Sequence, residues 1–252
     1  MLEREKVEKY MNSYYGFGNW NSNIWFVGME EGGGQDEDEV NKRIESWSTT
    51  KKDLIDNKAH HERIGITQFF DRGVLQKTWM RLIRLKLSIE GKLSGISSED
   101  TEMIREIQKN SWGRLDSDNA LLDLFPLPSP NAKDWFYNEK FNWTEIEYLK
   151  NRETYRNELE TPRINYLYKK LTKHAPRLVI FYSKEYTSYW NKIVRSDFDT
   201  ESKILFSRGK NEVRAITKGA TCFIQVPFPG RNAQSNVFWT EAGEKIRNHL
   251  KS

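Results

Sequence analysis

Short apolar runs that end in loops of glycine, proline or charged residues constrain the folding of this chain most strongly. One run, Asn23-Ile24-Trp25-Phe26-Val27, leads directly into Gly-Met-Glu-Glu-Gly-Gly-Gly at residues 28–34. Other runs of this kind lie at 119–125, 177–182, 213–217 and 221–225. Apolar runs of about four to eight residues bounded by turn residues indicate strands buried in a sheet.

Helical patterns fill the segments between these runs. Apolar residues recur at helical spacing from Val74 to Glu90, and the stretch from Ser97 to Asp100 has the form of a helix cap. We predict helices at 3–15, 35–63, 74–90, 97–108, 145–174, 185–194 and 235–250. Strands that alternate with helices predict a single α/β domain over residues 1–252, a three-layer α/β/α sandwich around a mostly parallel sheet.

Composition limits the class of protein. The net charge of +4 permits a polyanionic partner without requiring one. No apolar run approaches the ~20 residues that a membrane span needs, and the first residues lack the apolar core of a signal peptide. We therefore expect an intracellular protein with no membrane contact. The single cysteine, Cys222, excludes an internal disulfide and a cysteine-based zinc site.

Two of the loops carry residues suited to chemistry on a nucleotide. The glycine-rich loop at 28–34 bears carboxylates where a buried strand ends, which is where open α/β sheets build their sites. The loop at 227–236, Pro-Phe-Pro-Gly-Arg-Asn-Ala-Gln-Ser-Asn, is basic and rich in amides, and it leads into a helix. Such a loop suits a nucleic-acid backbone. The sequence thus favours an enzyme that acts on a nucleotide.

Three motifs in order resemble those of the uracil-DNA glycosylase superfamily. Gly-Met-Glu-Glu-Gly at 28–32 is nearest to the Gly-Met-Asn-Pro-Gly of its single-strand-selective monofunctional branch. Asp-Leu-Phe-Pro-Leu at 123–127 resembles that branch's Asn-Leu-Cys-Pro-Leu. The loop at 227–236 resembles His-Pro-Ser-Pro-Arg-Asn-Pro-Gln-Ala-Asn, with Gly230 inserted and Val226 at the histidine position. The match covers only about thirty residues of the chain.

The resemblance implies a four-stranded parallel sheet between helices, no metal and no cofactor. It implies hydrolysis of the N-glycosidic bond of a nucleotide flipped out of DNA, by a protein that acts as a monomer. The residues expected in catalysis are Glu30, Glu31 and Asp123. Those expected to bind the base are Gly28, Met29, Gly32, Gly33, Gly34, Asp123 and Phe125. Those expected to contact DNA are Pro227, Phe228, Pro229, Gly230, Arg231, Asn232, Gln234 and Ser235.

Each departure from the family pattern changes the expected chemistry. Glu30 stands where the family has Asp or Asn, and a carboxylate there can activate water or stabilise the oxocarbenium-like sugar. Glu31 replaces a proline and is a second candidate. The alternative is that both are solvated loop acids. Val226 removes the histidine that donates to base O2, so backbone amides of the glycine-rich loop, Gln225 or Arg231 would have to replace it, or activity is lost.

Asp123 stands where the family uses Asn to read the edge of uracil. A protonated carboxyl matches cytosine instead, because its C=O accepts from the N4 amino group and its O–H faces N3. Burial can keep a carboxyl protonated. The alternatives are that Asp123 caps the following loop or pairs with an arginine.

The expected substrate is a cytosine with a large C5 group, because removal of ordinary cytosine would destroy the cell's own genome. Gly32, Gly33 and Gly34 lie where related enzymes use a bulky side chain to exclude C5 groups, although a flexible turn explains them equally well. We predict excision of hypermodified cytosine, such as glucosyl-hydroxymethylcytosine, from phage DNA in the bacterial cytosol. The alternatives are a repair glycosylase for uracil or deaminated bases and an inactive DNA-binding module.

Overall fold

The computed structural model describes residues 4–93, 95–131, 135–138, 146–230 and 234–252. In this part of the chain the α-helices are α1 (Arg4–Ser13), α2 (Glu37–Ser48), α3 (Asn57–Arg63), α4 (Lys77–Glu90), α5 (Ser98–Asn110), α6 (Arg152–His174), α7 (Thr187–Val194) and α8 (Asn236–His249). The strands are β1 (Gly16–Phe17), β2 (Ile24–Gly28), β3 (Leu54–Ile55), β4 (Asn119–Asp123), β5 (Leu178–Tyr182), β6 (Lys203–Arg208), β7 (Asn211–Lys218) and β8 (Thr221–Val226).

The strands form one sheet in the order β3-β1-β4-β2-β5-β8-β7-β6. Its central strands β4, β2, β5 and β8 are parallel to one another. On one side β1 pairs antiparallel with β4, and on the other β7 pairs antiparallel with both β8 and β6. The α/β class is therefore confirmed, whereas the expected four-stranded parallel sheet is wrong, because eight strands form a mixed sheet.

The strands that the sequence did not reveal lie towards the edges of the sheet. The strands β1 and β3 have two residues each, which is too short to produce a periodic pattern. The edge strand β6 is half exposed and contains a β-bulge between Ile204 and Phe206, so it lacks a continuous apolar run. Strands buried on both faces leave the strongest apolar signal in a sequence, and β1, β3 and β6 do not leave one.

Helices cover both faces of the central strands. On one face Val27 lies beside Leu167 of α6 and Ile193 of α7. On the other face Ile24 lies beside Ile89 of α4, and α4 packs along α8. Because β2 and β4 are buried along their whole length, their last residues are held rigidly at the edge of the sheet.

One predicted helix is wrong. The segment 35–63 forms two helices, α2 and α3, separated by β3. After α2 the chain turns at Lys51, whose φ of 52° is in the left-handed region. Asp56 then caps α3 by accepting a hydrogen bond from the Ala59 backbone N–H at 2.9 Å. The predicted capping box at the start of α5 is confirmed, with Ser97 and Asp100 bonded reciprocally.

A buried arginine joins the end of β4 to the N-terminal segment. The guanidinium of Arg163 on α6 donates to the carbonyls of Met11 at 2.8 Å, Tyr14 at 2.7 Å and Asp123 at 3.0 Å. It also donates to the Leu124 carbonyl. The side chain thus satisfies buried carbonyls that would otherwise lack a donor.

Replacement of Arg163 by methionine should destabilise the fold. A buried polar group left unsatisfied costs about 1–3 kcal/mol, and Arg163→Met leaves several. We expect the free energy of unfolding to fall by about 3 kcal/mol or more, as measured by urea denaturation. Lys169→Met, an exposed change on the same helix, is the matched control and should have little effect. Equal losses in the two variants would show that the carbonyl contacts are unimportant.

Candidate functional site

The last residues of the four central strands form a row across the carboxyl edge of the sheet. Asp123 on β4 is paired in register with Gly28 on β2. Tyr182 on β5 is paired with Val226 on β8. Since Val27 is paired with Phe181, Gly28 and Tyr182 are also neighbours. Side chains at equivalent positions of parallel strands share a face, so Asp123 and Tyr182 flank the position where Gly28 has no side chain.

Backbone hydrogen bonds join the loops that follow β2 and β4. Leu124 N–H donates to the Gly28 carbonyl at 2.9 Å, and Phe125 N–H donates to the Met29 carbonyl at 2.6 Å. Further along, Ser129 N–H donates to the Glu31 carbonyl at 2.8 Å. The structure therefore places the first two motifs side by side.

The third loop lies at the same edge and is held by α4. Arg81 donates to the carbonyl of Pro229 at 2.9 Å and also to that of Gly230. The ring of Phe228 is 57% exposed and packs over Gly230, where a Cβ would overlap it. This leaves an exposed aromatic ring at the rim of the candidate site.

The remaining predicted DNA contacts are partly described. Arg231 and Asn232 lie outside the described residues. Ser235 caps α8 by accepting from Phe238 N–H at 3.4 Å, and the Gln234 carbonyl accepts from the indole N–H of Trp239 at 3.2 Å. Pro227 directly follows β8.

Glu30 forms ion pairs with two arginines of α6. The guanidinium of Arg152 donates to its carboxylate, and that of Arg156 lies 3.4 Å from it. The Glu30 side chain is only 10% exposed, so the interpretation as a solvated loop acid is wrong. The same arginines contact aromatic rings, Arg152 above Trp135 and Arg156 above Phe125.

Glu31 belongs to a separate buried cluster. Its carboxylate lies 2.7 Å from the guanidinium of Arg43 and 3.5 Å from Nε2 of His61. Burial alone would raise the pKa of Glu31, but the charge of Arg43 and the hydrogen bond from His61 outweigh burial and hold that pKa well below its usual range. Glu31 is thus an ionised carboxylate engaged with Arg43, and it too is not a solvated acid.

Asp123 has the opposite electrostatic character. Burial raises the pKa of its carboxyl well above the usual range, and the charge of Glu31 raises it further, against a smaller lowering by Arg163. No hydrogen-bond donor among the described residues reaches its carboxyl, and Arg163 contacts only its backbone carbonyl. Within the described residues, neither the capping nor the arginine-pairing alternative is present.

The backbone conformation of the glycine-rich loop requires glycine at two positions, 33 and 34. Gly33 and Gly34 have positive φ angles of 118° and 74°. A Cβ at Gly33 would meet Glu39 and Arg43, and one at Gly34 would meet the backbone of Pro128. Gly32 is different, because a Cβ there would meet nothing within 4 Å. Of the three glycines at 32–34, Gly32 alone therefore combines a missing side chain with open space.

The apolar residues assigned to base binding are buried. Phe125 is 0% exposed and Met29 is 5% exposed. The ring of Phe125 packs against Tyr155 and Tyr189. In this conformation the side chains of Met29 and Phe125 pack beneath the site and are not exposed to a base. A cavity of about 650 Å³ is lined by Asn23, Asp118 and Arg177 at the opposite edge, among other residues, and contains none of the predicted site residues.

Sequence reasoning missed the cations and the tyrosine of the site. Arg152 and Arg156 are spaced i, i+4, so they share one face of the predicted helix, but nothing in the sequence paired that face with Glu30. Arg43 and His61 lie in the charged segment that was interpreted as one helix. Tyr182 ends a predicted strand, and only the register of the sheet places it beside Gly28.

Comparison with known proteins adds no relative: no protein-family model matches the chain, and no curated protein matches it. The family resemblance therefore depends on the three motifs. In the described part of the chain no helix is long and apolar enough to cross a membrane.

Replacement of Asp123 by asparagine should change how stability depends on pH. The folded protein holds the Asp123 proton more tightly than the unfolded chain, whose carboxyl has a pKa of about 3.9. Asp123 therefore destabilises the fold increasingly as pH rises above that value. Since asparagine does not ionise, the free energy of unfolding of Asp123→Asn relative to wild type should increase from pH 4 to pH 8 in urea denaturation. Asp116→Asn, an exposed change, should show no such trend, and a flat difference for Asp123→Asn would contradict the raised pKa.

Proposed function

We propose that this protein is a monofunctional DNA glycosylase that excises a cytosine with a large C5 group from phage DNA and leaves an abasic site. The observation that carries the proposal is Asp123, a buried carboxyl with a raised pKa and no donor among the described residues, beside Gly28 at the end of parallel strands. A flipped base that enters at this carboxyl edge, beside Asp123, would meet this carboxyl. Its protonated form offers one acceptor and one donor, which matches N4 and N3 of cytosine.

The acids Asp123, Glu30 and Glu31 have separate roles in the proposed reaction. Asp123, whose pKa is raised, is suited to donate a proton, and an ionised carboxylate is suited to accept one. Glu30 is the proposed base, because it occupies the motif position at which the resembled family has Asp or Asn, two residues after β2 at the edge that bears Asp123. Glu31 is occupied by Arg43 within the buried cluster, so we assign it the support of the loop.

The proposed hydrolysis balances through these groups. The bond between C1′ and N1 breaks, and its electron pair goes to the base. Water adds its oxygen to C1′ and gives a proton to Glu30. Asp123 gives its proton to N3, so the base leaves neutral, and exchange with solvent restores both side chains. Arg152 and Arg156 orient Glu30 and add positive charge near the path of the DNA backbone.

The C5 group has room beside Gly32, where the structure leaves open space. The cell must spare its own cytosine, so selectivity for a hypermodified base requires such room together with weak action on the unmodified base. Glucosyl-hydroxymethylcytosine of phage DNA fits this requirement. The exposed ring of Phe228 and the start of α8 lie at the same edge and suit contact with the DNA strand.

The first experiment compares DNA substrates. Purified protein is incubated with glucosyl-hydroxymethylcytosine phage DNA, unmodified DNA and uracil-containing DNA, and alkali-labile sites and released base are measured. We expect abasic sites in the modified DNA alone. Glu30→Gln should reduce the rate by about 100-fold or more, whereas Glu45→Gln, an exposed change on α2, should be as active as wild type.

The other outcomes identify the alternatives. Cleavage of uracil DNA in preference to modified DNA would identify a repair glycosylase. Tight DNA binding with no abasic product would identify an inactive binding module, in agreement with the absence of histidine at Val226.

Replacement of Asp123 should also change the base preference. Asparagine would present the donor and acceptor that suit uracil, so Asp123→Asn should move the preference from 5-hydroxymethylcytosine towards 5-hydroxymethyluracil. These bases carry the same C5 group and differ in the edge that Asp123 would meet. A matched pair of hydrogen bonds discriminates by about 1–3 kcal/mol, so we expect a shift of about tenfold or more. An unchanged ratio of excision rates would exclude Asp123 as the residue that reads the base.

A further inference from the structure

The proposed reaction lacks a donor to the O2 atom of the departing base. Val226 occupies the histidine position of the third motif, and it is fully buried with no polar side-chain atom. Gln225 points to the opposite face of the sheet, because it is paired with Phe181, and its amide donates to the Thr187 hydroxyl at 2.8 Å. Arg231 lies outside the described residues. Neither Val226 nor Gln225 therefore supplies this donor.

Tyr182 lies one strand closer to Asp123 than Val226 does. The two residues are paired in register on β5 and β8, so their side chains share a face. From there the phenol of Tyr182 extends over β2. A Cβ on residue 28 would overlap the Tyr182 hydroxyl oxygen, as well as the nearest ring carbons. Gly28 thus leaves the space that the hydroxyl group occupies.

The hydroxyl is available to a ligand. None of the hydrogen bonds among the described residues involves the Tyr182 hydroxyl, and the residue is only half-buried. Buried tyrosines usually bond their hydroxyl to a partner. The Tyr182 O–H group has no such partner and lies over Gly28 at the carboxyl edge of the sheet. It is therefore positioned to bond to a molecule that enters the site.

We propose that Tyr182 is a catalytic residue of this chain whose hydroxyl donates a hydrogen bond to O2 of the flipped base, in place of the absent histidine. This inference rests on the proposed glycosylase activity. As the bond between C1′ and N1 breaks, the electron pair passes to the base and negative charge develops on N1 and O2. The phenol keeps its proton and stabilises that charge, while Asp123 protonates N3.

The electrostatic environment supports a donor. Burial raises the pKa of the Tyr182 hydroxyl well above its usual range, and the nearby Asp123 and Glu31 raise it further. The phenol is therefore protonated throughout the physiological pH range. A histidine would lose its donating proton or gain a charge within that range, whereas the phenol stays a neutral donor there.

The test is Tyr182→Phe in single-turnover excision with saturating protein. Loss of one such donor reduces the rate constant by about 100-fold or more, while the affinity for the modified DNA and the unfolding transition should be unchanged. Tyr168→Phe is the matched control, because Tyr168 is a half-buried tyrosine on α6 whose ring packs under Arg195. It should be as active as wild type.

A second measurement separates hydrogen bonding from ring packing. Difluorotyrosine at position 182 keeps the ring and provides a more acidic O–H group. A donor role predicts that this variant recovers most of the activity lost in Tyr182→Phe at a pH at which its phenol is protonated. A ring that only fills space predicts full activity already in Tyr182→Phe, and that result would overturn the inference.

The two proposals fail in distinguishable ways. An active wild type with an equally active Tyr182→Phe variant would exclude the donor role and leave the glycosylase activity standing. A wild-type protein that produces no abasic site in any of the DNA substrates would overturn the glycosylase activity and the role of Tyr182 with it.

Discussion

The fold around the candidate site depends on how buried backbone carbonyls at the end of β4 are satisfied. Arg163 reaches this point from α6 and bonds carbonyls of the N-terminal segment and of Asp123 and Leu124 at once. Its charge has no carboxylate partner among the hydrogen bonds of the described residues, so the carbonyl dipoles surround it instead. A lysine could not bond four carbonyls from one planar group. The position of Asp123 follows from this contact and from its register with Gly28.

Two buried carboxyls near this point are driven to opposite protonation states. Glu31 pairs with Arg43, and its pKa is held below the usual range, while the pKa of Asp123 is raised by burial and by the charge of Glu31 itself. A pair of acids separated in this way is the usual arrangement in sites that both donate and accept protons. Here the ionised carboxylate, Glu31, also stabilises the fold through its ion pair with Arg43. For this reason the proposed reaction uses Glu30, rather than Glu31, as its base.

Much of the central fold followed from the sequence. The apolar runs at 23–27, 119–125, 177–182 and 221–225 correspond to the parallel strands at the centre of the sheet, and the last helix, predicted from 235, begins at Asn236 with Ser235 as its N-cap. Buried strands require apolar residues, and helix starts require capping residues, so both leave a pattern in the local sequence. The helix expected over 35–63 was wrong, because the turn at Lys51 and the short pairing of β3 depend on contacts with distant strands. The edge strand β6 was missed because it is exposed and lacks a continuous apolar run.

The candidate site divides in the same way. The sequence by itself determined the order of the three motifs and the residue types they carry: the acids Glu30 and Asp123, the glycines, and valine in place of histidine. These are properties of single positions and need no knowledge of neighbours. Only the tertiary structure decided the partners, namely Arg43 for Glu31, Arg152 for Glu30 and Tyr182 beside Gly28. Two of these three contacts, Glu30 with Arg152 and Gly28 with Tyr182, join segments more than a hundred residues apart through strand register and helix packing. A local sequence pattern carries no information about such contacts.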